Sequence, residues 1–208
     1  GKEETISSEG LKFKLFKDAT AKPLPAISAS KIQNNKGEKF EVYDPCDLWL
    51  HDQYVGSWAS DQGAVMLLEM TIPAPTDLER VFQNLVFKEA YDNWKKDLKP
   101  EWNDNTVHEW LKLCLKGKLK DGAGEQITKD IPKKNKIVRY HSNDSFDDFY
   151  RQVYLAECAD RPGERYVLIY ELPRDTDVEK SSKTVLQSLQ SLAFFPPKKT
   201  DDKSKQMT

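Results

Sequence analysis

The 208-residue chain sets 32 Lys and Arg against 34 Asp and Glu, a net charge of -2. Near neutrality excludes the strong overall field that draws a protein to nucleic acid or anionic membrane. No run of eighteen apolar residues occurs, so no segment reads as a spanning helix. Cys46, Cys114 and Cys158 are odd in number and lack C-x-x-C spacing, which excludes a disulfide framework but leaves one bridge plus one free thiol open.

The length fits one domain with polar ends: residues 1–10 as a leader or tether, 11–197 as the domain, 198–208 as a polar tail. The start at Gly1, followed by "KEETISSEG", fits a chain trimmed of a targeting segment, and export is favoured over the cytoplasm.

In chain order, "LKFKLF" (residues 11–16) alternates apolar and basic residues at the period of a half-buried strand. Pro23 and Pro25 break regular structure in the next stretch, and "KFEVYD" (39–44) alternates again up to Pro45. "GAVMLLEMTI" (63–72) is nearly continuous in apolar residues, as in a central strand covered on both faces. Three T-x-x-E boxes, Thr76/Glu79, Thr106/Glu109 and Thr176/Glu179, each predict a helix start. The first helix carries Leu78, Val81, Phe82, Leu85, Tyr91, Trp94 and Leu98 on one broad face and ends at Pro100. The second carries Val107, Trp110, Leu111 and Cys114, with Gly117 at its C-terminal end. "KIVRYHS", "DFYRQVYLAECA" and "ERYVLIYEL" read as strands, the last two joined at "DRPG" as a hairpin. The third helix presents Val178, Val185, Leu186, Leu189, Leu192 and Ala193 on one face, and "FFPP" follows it. Strands and helices in runs predict an α+β fold, a single domain with an antiparallel sheet packed against about three helices.

The segment from Arg151 to Phe194, with its hairpin and closing helix ending in "SLAF", resembles the final portion of PsbP-like domains, and "SWASDQGAVMLLE" (57–69) is similar to their early strand. The resemblance implies a small non-catalytic accessory or binding domain, of a family often exported or lipid-anchored in bacteria. It implies an unidentified protein or small ligand as partner and brings no catalytic motif or cofactor.

Several clusters invite chemistry. "VHEWLKLC" begins like the zinc motif H-E-x-x-H, but the second histidine position holds Lys112, a cation that cannot ligate, so no metal is expected there. "YDPCDLWLHD" gathers Asp44, Cys46, Asp47, His51 and Asp52. We read it as a turn set by Asp44-Pro45 with Trp49 packed inward. The alternative is a small hydrolase or metal-dependent enzyme using Cys46 and His51 with Asp52. "NDSFDDF" (143–149) lacks the glycine and glutamate of an EF-hand and reads as a polar loop. The short basic stretches 116–122 and 133–136 read as solvated loops, and no nucleic acid is expected as a partner. In the hairpin, Tyr150 and Tyr154 share one parity, as do Tyr166 and Tyr170. The four either pack under a helix or form an exposed binding platform.

Overall fold

The computed structural model describes residues 3–6, 10–71, 103–115, 118–143 and 148–195. The fold is a single α+β domain around a seven-stranded antiparallel sheet. In the sheet, from one edge to the other, lie β3 (Thr20–Lys22), β6 (Tyr54–Ser60), β7 (Gly63–Glu69), β11 (Tyr166–Pro173), β10 (Phe149–Cys158), β9 (Asn135–Tyr140) and β8 (Glu125–Ile127). A three-stranded sheet joins β1 (Glu3–Ile6), β2 (Leu11–Lys14) and β12 (Ala193–Phe194), and β4 (Ser30–Gln33) pairs with β5 (Lys39–Val42) alone. Among the described residues there are three helices, α1 (Pro45–Gln53), α2 (Asp104–Cys114) and α3 (Val178–Ser191).

The central strands explain the layering. In an antiparallel pair, residues directly opposite point to the same face. Tyr154 lies opposite Leu168, Gln152 opposite Tyr170 and Ala156 opposite Tyr166. Leu67 and Val65 of β7 continue that row beside Leu168 and Tyr170. This face packs with Leu11 and Phe13 of β2 and with Val185 and Leu189 of α3. The opposite parity, Val153, Leu155, Val167, Ile169 and Leu68, packs under α1 and α2 through Trp49, Leu50, Trp110 and Leu111. The 63–69 strand is central and covered on both faces, as its apolar run predicts.

One of the three described helices, α1, is not among those expected. The segment from Thr76 to Leu98 lies outside the described residues, as do the 198–208 tail and Gly117. The α1 helix is formed by the residues read from sequence as a turn. Asp44 is its N-cap, accepting from the Cys46 N–H at 2.8 Å, and Pro45 occupies the first turn, where a missing N–H is harmless. The polar leader also contributes structure, since Glu3–Ile6 forms β1 against β2.

Two helix starts differ from their expected boxes. Asn103 caps α2, accepting from Asn105 N–H at 3.0 Å and Thr106 N–H at 3.1 Å, while Thr106 Oγ1 accepts from Asn103 N–H at 2.7 Å. Thr106 therefore sits at the third helical position and plays the reciprocal part that glutamate often plays. Glu109 instead pairs with Lys112 at 3.0 Å. Asp177 rather than Thr176 caps α3, accepting from Glu179 and Lys180 N–H at 3.1 and 3.2 Å. Its carboxylate adds a charge that the helix N-terminus favours, and the Thr176 hydroxyl donates to Pro173 C=O at 2.6 Å.

Leu189 is 1% exposed and Val178, on the same helix, is 42% exposed. Leu189→Ala is expected to lower stability by about 2–5 kcal/mol in urea unfolding. Val178→Ala is expected to stay within about 0.5 kcal/mol of the parent.

Candidate binding surface

The β4–β5 hairpin is held by its own turn. Asn34 N–H donates to Glu38 C=O at 3.0 Å, and Gly37 N–H donates to Asn34 C=O at 3.1 Å. The Asn34 side-chain oxygen also accepts from the N–H groups of Lys36 and Glu38 at 2.9 and 3.0 Å. Gly37, at φ +79°, takes the left-handed position that a side chain would strain. This network fixes the register: Gln33 opposite Lys39, Ile32 opposite Phe40, Lys31 opposite Glu41, Ser30 opposite Val42.

Alternation then sorts the side chains onto two faces. Lys31, Gln33, Lys39 and Glu41 form a polar face; Ile32, Phe40 and Val42, with Ser30, form the other. The alternating "KFEV" pattern predicts one buried face, yet every residue of both strands is exposed. Ile32 is 51%, Phe40 45%, Val42 44% and the following Tyr43 42% exposed. An apolar sheet face left in water is the signature of a contact surface.

Cys46, His51 and Asp52 do not converge. Cys46 is fully buried among Trp49, Leu50 and Cys114, while Asp52 is exposed. His51 is partly exposed, its ring edge-to-face with Tyr54 at 6.5 Å. Five positions along a helix turn Cys46 and His51 about 140° apart, so the imidazole does not face the thiol. The partner of Cys46 is Cys114, across the α1–α2 packing that Trp49 and Trp110 also make, edge-to-face at 5.2 Å. The Cys46 contact, reinforced by burial, pushes the Cys114 thiol well above its ordinary pKa. Among the described residues no three His, Cys, Asp or Glu side chains are grouped to hold a metal ion.

The tyrosines share one face, as their parity predicts, and that face is covered by α3 and β2. Tyr154, Tyr166 and Tyr170 are buried; Tyr150 is partly buried, with Arg174 stacked over its ring at 4.5 Å. Tyr170 OH and Ser188 Oγ are 2.9 Å apart, and Tyr154 OH donates to Gln152 at 2.8 Å, so the buried hydroxyls are satisfied.

Two polar features escape sequence reasoning. At the start of α2, Asp104 pairs with Lys136 at 2.8 Å and Arg165 at 3.1 Å, and Arg165 pairs with Glu157 at 2.9 Å, beside an open cleft of about 450 Å³. Burial disfavours the Asp104 charge, but Lys136 and Arg165 outweigh it and hold its pKa below the usual range. Burial and the neighbouring Asp104 push Glu157 up. Two cations thus match two carboxylates, which ties α2 to the ends of three strands and leaves little net field for a ligand. Nothing local in sequence marks residues 104, 136, 157 and 165 as neighbours. The second feature is His108, 8% exposed and stacked on Tyr140 with ring centroids 4.4 Å apart. It bonds the Lys120 backbone, while its Nε2 is buried with no partner among the described residues.

No family model matches the chain, and no curated protein matches it in sequence.

Two predictions follow from burial. In the native protein Cys46 and Cys114 should react with iodoacetamide at under roughly 1% of a free thiol's rate. Denaturant should restore full labelling, read by mass spectrometry of tryptic peptides. Burial first, then Lys112, lowers the His108 pKa. The folded state therefore favours the neutral ring, and that contribution is complete above about pH 6.5 and lost as the pH falls through the lowered pKa. Stability measured by urea at pH 7.5 and pH 5 should accordingly fall less in His108→Gln than in the parent.

Proposed function

We propose that this chain is a non-catalytic binding module whose contact surface is the apolar face of the β4–β5 hairpin. One observation carries the reading. Of the five large apolar side chains exposed among the described residues, four (Ile32, Phe40, Val42 and Tyr43) lie within residues 32–43. A two-stranded hairpin is marginal in water by itself. Placing Ile, Phe and Val on it, about half exposed and away from either core layer, forgoes roughly half of the ~1.5–3 kcal/mol that full burial of each side chain contributes. A partner that covers the face recovers that burial. The likeness of residues 151–194 to PsbP-like domains supports an accessory role, and with it an exported, tethered setting. The contrast with Cys46 and His51 adds support, since the thiol is sealed in the core and the imidazole is turned away from it.

The test is comparative co-purification. Ile32→Ser/Val42→Ser changes only exposed positions, so its unfolding midpoint should match the parent's. Proteins crosslinked to the parent in extracts of its host should be lost from the variant. Equal recovery with both would reject the hairpin as the contact surface.

A further inference from the structure

The β4–β5 hairpin is a complete sheet of two strands, with no third strand on either edge among the described residues. The free edges are not equivalent. Asn34 N–H donates to Glu38 C=O, so that pair is hydrogen-bonded. Alternation along an antiparallel ladder then makes Ile32–Phe40 a hydrogen-bonded pair and turns the main-chain groups of Lys39 and Glu41 outward. The outward edge of β5 therefore offers the N–H and C=O of two residues whose side chains carry opposite charge.

From this we propose that β5 pairs with β5 of a second copy of this chain, antiparallel about a two-fold axis at Phe40. In that register Lys39 stands opposite Glu41 of the second copy, and Glu41 opposite its Lys39. Each pair exchanges the main-chain hydrogen bonds that the outward groups require. Phe40 meets its own counterpart at the axis as a non-hydrogen-bonded pair, where side chains approach most closely. The result is a four-stranded sheet. Its polar face alternates Lys31, Glu41, then Lys39 and Gln33 of the second copy, and its other face joins two sets of Ile32, Phe40 and Val42 into one patch.

Other arrangements are worse on the same grounds. An axis at Glu41 or at Lys39 sets like charges opposite each other. A shift of one residue places Phe40 opposite Glu41 and splits the apolar face. The β4 edge paired with itself, Lys31 and Gln33 outward, has no anion to set against its lysine, and β4 paired with β5 of a second copy is head-to-tail, leaving one edge free on each copy. Charge complementarity and closure together select one edge, one register and a second copy as the occupant, and the self-complementary contact closes as a dimer.

The inference rests on the hairpin being a contact surface, and charge exchange tests it separately. Sedimentation velocity on the full chain from about 1 to 100 μM at low salt should show a concentration-dependent dimer. Glu41→Lys and Lys39→Glu should each weaken self-association roughly tenfold or more, because both cross-strand pairs become like-charged. Lys39→Glu/Glu41→Lys should regain the dimer, and an equimolar mixture of the two single variants should form a heterodimer. Circular dichroism and unfolding midpoints of all variants establish that they fold. A parent that stays monomeric throughout overturns the proposal, as does a dimer indifferent to the single substitutions or a double variant that does not recover. A monomer whose crosslinked proteins are lost in Ile32→Ser/Val42→Ser would overturn the second copy while leaving the contact surface in place.

Discussion

The β10–β11 pair is apolar on both of its faces, and the rest of the molecule answers to that constraint. Val153, Leu155, Val167 and Ile169 look one way; Tyr154, Ala156, Tyr166, Leu168 and Tyr170 look the other. A sheet of this kind cannot present either side to water, so one layer of cover is insufficient. The layer of α1 and α2 seals the first face, and α3 with β2 seals the second. The polar groups inside follow the same demand. Tyr170 reaches Ser188, and Tyr154 reaches Gln152, which turns to Ser182 of α3 at 3.2 Å.

Set beside this interior, the β4–β5 hairpin obeys different rules. Its strands touch neither core, and its shape comes from main-chain bonds and one asparagine side chain at the turn. Local hydrogen bonding sets the register of an element that stands outside both core clusters of the described residues. The apolar residues on it belong to neither core cluster of the described residues. That separation lets the two core layers supply stability independently of the hairpin.

Much of the interior was legible because its periodicities are strong. The runs at 63–69, 149–158 and 166–173, the stripe on α2 and the parity of the tyrosines all lead to the observed layers. The helix starts were misread by one to three residues, because Asn103 and Asp177 offer side-chain acceptors as good as the neighbouring threonines. The turn that the sequence suggests at α1 has a different cause. The inward positions of α1 are Cys46, Trp49, Leu50 and Gln53, a helical spacing that the polar Gln53 cuts short after three apolar members, behind an Asp-Pro pair that also signals a turn. Gln53 tolerates burial because both ends of its amide are bonded: its nitrogen donates to Trp49 C=O at 3.2 Å, and its oxygen accepts from Thr71 at 2.7 and 3.2 Å. The candidate surface was half legible. Alternation in "KFEV" announced the strand, but which medium its apolar face meets is decided by tertiary placement that the pattern does not encode. The ion-pair group at Asp104 was invisible, since its members meet only when α2 crosses the strand ends.

The small sheet has a consequence for how the chain reaches this state. Lys14 N–H donates to Ser191 Oγ at 2.8 Å across 177 positions of sequence, and Ser188 Oγ donates to Lys14 C=O at 2.6 Å. Phe195 N–H closes on Gly10 C=O at 3.0 Å, and β12 completes β2 at Lys12 and Leu11. During synthesis, β2 emerges early with Leu11 and Phe13 uncovered and waits for almost the whole domain before α3 and β12 arrive. The face that carries the buried tyrosines is thus the last to close. Its apolar strands are exposed to chaperones, proteases and one another for as long as the ribosome takes to travel that distance.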